Sequence, residues 1–150
     1  MPGTHTQLLH HVVFSTKHRD PWITAEIAGR LYPYIGGLVR TEKGVLYDIG
    51  GIEDHIHMYF RWRPDATISD LMRTVKARSS KWLHDTYPSL NAASWQEGYG
   101  AFTVSKSQEK VVKAYIAGQH EHHRKEDFKS EFLRLLRAHE IEFDERYVFD

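Results

Sequence analysis

Residues 55–62, His-Ile-His-Met-Tyr-Phe-Arg-Trp, alternate along the chain in a way that only a strand accommodates. Successive side chains of a strand point to opposite faces. His55, His57, Tyr59 and Arg61 therefore share one face, and Ile56, Met58, Phe60 and Trp62 share the other. The second set is a core face that some other layer must cover. Residues 45–52 (VLYDIGGI) also read as a strand, and only Glu53 and Asp54 separate the two, which predicts an antiparallel hairpin. The centre of the fold is thus a sheet with one apolar side and one side rich in groups capable of chemistry.

The remaining segments supply the rest of that sheet and its cover. Residues 8–15 (LLHHVVFS) predict a strand, and residues 24–41 a helix opened by Thr24 after Pro21. Thr67 and Asp70 resemble a capping box, after which Ile68, Leu71, Met72, Val75, Trp82 and Leu83 recur at helical spacing. Residues 99–104 (YGAFTV) predict a further strand. Ser105 with Gln108 predicts the start of a helix running to about His123, and Phe128, Phe132, Leu135 and Leu136 mark a last helix. The tail from Ile141 to Phe149 stays open between strand and irregular chain. With no repeat and no linker, the 150 residues are expected to form one α+β domain over 1–150, an antiparallel β-sheet covered by helices.

Composition closes off several chemistries. The chain has no cysteine, so disulfides, thiolate metal sites and a cysteine nucleophile are all excluded. No apolar run approaches the length of a membrane span, and the opening MPGTHTQLL lacks the pattern of a secretory leader; a cytoplasmic protein without membrane contact is expected. Net charge is zero with histidine neutral, yet six basic residues face two acidic ones between Phe60 and Lys81, and acidic residues gather after Glu126. Such segregation builds either a local positive surface or an ordinary solvated helix face.

Two constellations carry possible chemistry. His55 and His57 stand roughly 6–7 Å apart along one strand face, a spacing at which two neutral imidazoles can hold one metal ion or can simply be polar residues on a wet surface. Tyr115 and Gln119 lie four residues apart on a predicted helix and share a side, with His122 and His123 following. A tyrosine oxygen can attack a phosphodiester and form a phosphotyrosine link. With an ordinary pKa of about 10 it needs help, which a divalent metal can supply, and the Gln119 amide oxygen is a hard donor suited to such an ion. Alternatively Val111, Val112, Tyr115 and Ile116 form an apolar stripe, and the tyrosine is a core residue.

Taken together, His55-Ile56-His57 on a strand and Tyr115-Ile116-Ala117-Gly118-Gln119 on a later helix resemble the HUH single-tyrosine transposases of the insertion-sequence 200-like family, which move small elements as single-stranded DNA. The likeness extends to HHVVFSTKHRDPWI, GGIEDHIHMYF, SWQEGYGAFTVSKS and YIAGQHEHHRKEDFKSEF, most of the chain. The resemblance implies a ferredoxin- or RRM-like HUH endonuclease domain and a homodimer. It implies Mg2+ or Mn2+ held by His55, His57 and Gln119, with Tyr115 as nucleophile. It also implies recognition of DNA hairpins at element ends and a 5′-phosphotyrosine intermediate. Lys17, Arg19, Arg73, Lys76, Arg78 and Lys81 are then candidate DNA contacts. Transesterification conserves bond energy, so no nucleotide cofactor is expected, in keeping with the lack of a G-x-x-x-x-G-K-[ST] loop. All three implied ligands are neutral, so the scissile phosphate would supply the charge, and metal and DNA are expected to bind together. A domesticated palindrome-binding relative, a replication-type nickase and a metal-storage protein are the competing readings.

Overall fold

A four-stranded antiparallel sheet in the order β2-β3-β1-β4 forms the middle of the molecule. The computed structural model describes residues 3–149; Met1 and Pro2, at the head of the stretch read for a leader, and Asp150 lie outside the described residues. The strands are β1 (Leu8–Ser15), β2 (Val45–Ile52), β3 (His55–Trp62) and β4 (Gly100–Val104). The hairpin read from residues 45–62 is present, with Ile52 paired to His55 and an irregularity between Leu46 and Asp48. β1 runs antiparallel to β3 with Ser15 opposite His55 and Val13 opposite His57.

One face of the sheet builds the main core. Val12, Phe14, Ile56, Met58, Phe60 and Trp62 pack against α1 (Ala25–Thr41) and α2 (Ile68–Thr86), which contribute Leu31, Ile35, Leu71, Met72 and Val75. Both helices begin where their caps predict: the Thr24 hydroxyl accepts from the Ile27 amide at 3.4 Å, and that of Thr67 from the Asp70 amide at 3.0 Å.

The other face is not the wet polar surface that one of the two readings of the histidine pair allowed. It is covered by α3 (Glu109–Ala117), α4 (Gln119–His122) and α5 (Phe128–Ala138). Val13 and Phe102 meet Phe128, Phe132, Leu135 and Leu136 in one apolar cluster, while Leu9, Tyr59 and Ile116 form another. His55, His57 and Tyr59 are 0% exposed as a result. The helix predicted from Ser105 to about His123 is also divided. Lys106–Gln108 form a 3-10 turn, Ser105 bonds the Ser107 hydroxyl instead of capping, and Gly118 separates α3 from α4. The tail after α5 is irregular, and no helix among the described residues is long and apolar enough to cross a membrane.

Candidate active site

β3 delivers His55 and His57 to the covered face of the sheet, and α3, α4 and α5 bring the groups that meet them. The two imidazole centroids lie 5.1 Å apart. From α3 the Tyr115 ring stands edge-on to His57 at 5.6 Å. Gln119, the first residue of α4, places its Oε1 2.9 Å from His55 Nε2 and is 1% exposed. All four residues singled out in the sequence for metal or nucleophile roles thus converge within a single chain.

At their centre is a residue that the sequence reading passed over. Glu131 of α5 is 0% exposed and carries the only carboxylate among the buried residues described. Its Oε1 accepts from His123 Nε2 at 3.0 Å and lies 3.2 Å from the Nε2 atoms of both His55 and His57. Its Oε2 accepts from Gln119 Nε2 at 3.1 Å and from the Tyr115 hydroxyl in a short hydrogen bond. Burial by itself would push this carboxyl up, but the hydrogen bonds from His123, His55 and His57 outweigh it and hold Glu131 far below the usual carboxylate range. Its signal in the sequence was a charge placed on the apolar stripe of an amphipathic helix, between Phe128 and Phe132 on one side and Leu135 on the other.

Outer partners orient both histidines. Asp54 Oδ1 lies 2.8 Å from His55 Nδ1, so that this nitrogen donates outward and Nε2 faces Glu131 and Gln119. Although burial opposes it, the bonds to Asp54 and Glu131 raise His55 to about 9. His57 Nδ1 pairs with His11 Nε2 at 2.7 Å, leaving Nε2 toward Glu131. Burial first, then the neighbouring His57, pushes His11 down to about 3; burial also lowers His57, against the pull of Glu131. Neutral rings at 11 and 57 let one donate to the other, and that bond sets which nitrogen of His57 is turned inward.

His55, His57 and Glu131 form a buried group whose ligand atoms all lie within 4.8 Å of one another and which could hold a metal ion. Two imidazoles and a carboxylate suit a first-row divalent cation. His122 and His123 with the same Glu131 form an overlapping group, and His123 Nδ1 is buried without a partner. Glu131 removes the premise that every candidate ligand is neutral: this chain carries a carboxylate of its own at the site.

Tyr115 is held between opposite charges. Arg134 Nη2 donates to its hydroxyl at 2.8 Å on the side away from Glu131. Burial, then Glu131, pushes the phenol up, and Arg134 works in the opposite direction. The other tyrosine of this sheet face, Tyr59, donates to Glu109 Oε2 at 2.7 Å.

The six basic residues proposed as DNA contacts do not join this centre. Arg73, Lys76, Arg78 and Lys81 are on α2, across the sheet from Tyr115. Arg73 pairs with Asp70 at 3.0 Å and Lys81 with Asp85 at 2.9 Å. Lys76 is used inside the protein, its ammonium donating to the carbonyls of Gln96, Glu97 and Gly98 at 2.8, 3.1 and 2.6 Å. That geometry makes Lys76 a strut for the loop before β4 and leaves its charge little part in phosphate binding. Lys17 and Arg19 follow β1 at the end of the sheet nearest His55, in a one-turn helix where His18 and Arg19 have φ of 57° and 58°.

The sheet with helices on both faces, an H-x-H strand and a tyrosine helix are those of an HUH tyrosine transposase. The family model described as Transposase IS200 like matches residues 4–119, and the chain belongs to that family of DNA-processing enzymes. It is 23% identical over 120 residues to the ISDra2 transposase TnpA of Deinococcus radiodurans, covering 77% of this chain and 86% of that protein. Identity to the transposase for insertion sequence element IS200 of Salmonella typhimurium is 27% over 107 residues, 68% of this chain and 70% of the relative. Among solved structures, one from D. radiodurans R1 superposes with a TM-score of 0.67 at 22% identity, over 79% of this chain and 95% of that one. A REP-associated tyrosine transposase bound to a REP hairpin gives 0.62 at 13% identity, over 82% and 73%. Glu131 and Arg134 lie beyond the residues that the family model matches.

Proposed function

We propose that the protein cleaves and rejoins single-stranded DNA at the ends of an insertion sequence, with Tyr115 as nucleophile and a divalent metal, Mg2+ or Mn2+, held by His55 and His57 together with Gln119 and Glu131. The observation that carries this reading is the convergence of the Tyr115 hydroxyl, both imidazoles and the Gln119 amide on one buried carboxylate. Once bound, the ion would supply a Lewis acid that polarises the scissile phosphate. The chain's own residues do the rest. Asp54 and His11 turn the inner nitrogens of His55 and His57 toward the ligand position. Glu131 holds the phenolic proton of Tyr115 until the phosphate arrives. Attack forms a bond from Tyr115 Oη to phosphorus and breaks the bond to the 3′ oxygen, leaving a 5′-phosphotyrosine and a 3′ hydroxyl that a second transesterification can reuse.

Hairpin recognition at the element ends and action as a homodimer belong to the same proposal. A relative that binds a REP hairpin shares this fold, which supports a hairpin substrate here. A domesticated palindrome-binding role remains the second reading, and the intact set of His55, His57, Gln119 and Tyr115 favours the enzyme over it. The test is Tyr115→Phe, which removes the oxygen and keeps the ring. It should abolish nicking of a labelled hairpin strand and the SDS-resistant protein–DNA adduct while hairpin binding persists. Nicking by the Phe variant would assign the nucleophile elsewhere.

A further inference from the structure

We propose that Arg134 is a catalytic residue of this enzyme, a phosphate ligand that binds the non-bridging oxygens of the scissile phosphodiester as Tyr115 attacks. The proposal rests on the tyrosine reading above and extends it to a residue outside the family match.

The geometry leaves little choice about what a guanidinium in this position meets. Arg134 Nη2 is 2.8 Å from Tyr115 Oη, and its Cζ lies 5.7 Å from the centre of the same ring. In an attacking arrangement phosphorus approaches Oη to about 3–3.5 Å, so the oxygens on phosphorus come within hydrogen-bond reach of the same guanidinium. The other neighbour of Oη is the Glu131 carboxylate, which repels a phosphodiester. A fixed cation on the open side offsets that repulsion and attracts the anion toward Oη. Arg134 is also the residue type whose planar fork matches phosphate.

Arg134 is held ready for this role and remains reachable. Glu126 accepts from its Nε at 3.3 Å and from Nη2 at 3.1 Å, and Glu126 is itself fixed by His122 at 2.7 Å. No hydrogen bond from Nη1 is formed among the described residues. The side chain is 45% exposed, against 0% for Glu131. A cavity of about 310 Å3 opens beside it, lined by Tyr115, Arg134, His11, Phe102, Gln108 and His139. That volume falls at the lower end of the range for small-ligand pockets. In the step, the Tyr115 Oη–P bond forms, the P–O3′ bond breaks, and the proton given up by Tyr115 ends on the departing 3′ oxygen. Arg134 stays protonated throughout and balances the charge gathering on the phosphoryl oxygens.

The experiment uses the full chain and a labelled single strand carrying the palindrome that flanks its gene, with the cleavage position mapped first. Arg134→Ala should slow single-turnover cleavage by about 100-fold or more, as loss of a charge-stabilising donor does elsewhere. Arg134→Lys, which keeps charge but not the fork, should fall between. Binding is then measured in EDTA by anisotropy for this strand and for one with a methylphosphonate at the scissile position. Arg134→Ala should weaken binding of the natural strand by about tenfold and leave the methylphosphonate strand unchanged. Wild-type cleavage by Arg134→Ala, with Tyr115→Phe inactive, would overturn the proposal and leave the tyrosine reading standing. Lost cleavage with the same change in binding for both strands would make Arg134 a strut between α5 and the tyrosine helix, and would overturn it too. Nicking by Tyr115→Phe would instead remove the reading on which the proposal rests.

Discussion

Asp54 never touches the proposed ligand position, yet it decides how His55 faces it. A carboxylate 2.8 Å from Nδ1 fixes that nitrogen as the outward donor and makes Nε2 the inward one. Asp54→Asn keeps the shape and removes the charge, and outer partners of metal-bound histidines typically contribute about 10–100-fold to affinity. Titration calorimetry of Mn2+ into the DNA-free protein should show a loss in that range with an unchanged fold. Equal affinity in the variant would place the ion away from His55. The same experiment on the natural protein reads the charge of Glu131 directly, since a site built from neutral ligands alone would take up little metal without DNA. His55, His57, Tyr115 and Gln119 were legible as candidates because spacing places each pair on one face and the two motifs together resemble those of the HUH transposases. Glu131, Arg134, Asp54 and His11 were not. His11 meets His57, and Glu131 meets both imidazoles, from distant parts of the chain; Arg134 meets Tyr115 from another helix, Asp54 acts from a turn, and no local period marks any of them.

At the scale of elements, the tyrosine helix is set by how closely it can lie on β2. A Cβ added to Gly50 would sit 2.9 Å from Ile116 Cγ2 and 3.1 Å from the Ile116 carbonyl oxygen, so glycine here permits the approach. Gly50→Ala forces α3 outward, and Tyr115 with it. Overpacking of this kind costs about 1–3 kcal/mol, or a Tm drop of roughly 2–10 °C in a domain of this size. Displacement of the nucleophile by about 1 Å is sufficient to cost on the order of 100-fold in rate. Calorimetric melting and single-turnover cleavage should both fall, the second more steeply. Native Tm and native rate together would show that α3 does not depend on this contact. Strand bounds were read closely from the alternating pattern, and two helix starts from Thr24 and Thr67. The break at Gly118 escaped because a single glycine within a helical pattern is compatible with a continuous helix, and only packing against β2 and α5 decides otherwise.

For the molecule as a whole, a single chain assembles the entire candidate site, with Tyr115 over its own His57. Excising an element still calls for two nucleophiles, so a homodimer with one complete site per subunit is the expected assembly. Mixing inactive Tyr115→Phe with inactive His57→Asn tests this. Sites built within one subunit give no mixed dimer with an intact centre, and cleavage stays absent. Recovered single-end cleavage would mean that the tyrosine helix is exchanged between subunits in the working complex.

The alternation over residues 55–62, the adjoining strand and the helical periods around them were sufficient by themselves to determine an antiparallel sheet under helices and its main core, while the roles expected of the tyrosine and the histidine pair came from the family resemblance. The sheet and its core are consequences of local geometry, since a period of two or of 3.6 residues assigns faces without knowledge of what lies opposite. Only the tertiary structure decided that the polar face is buried beneath α3, α4 and α5. It alone placed Glu131 between the imidazoles and Arg134 against the nucleophile, and it alone drew Lys76 into the loop before β4. A charge finds its partner across the fold by burial and Coulomb attraction, and neither is periodic in sequence.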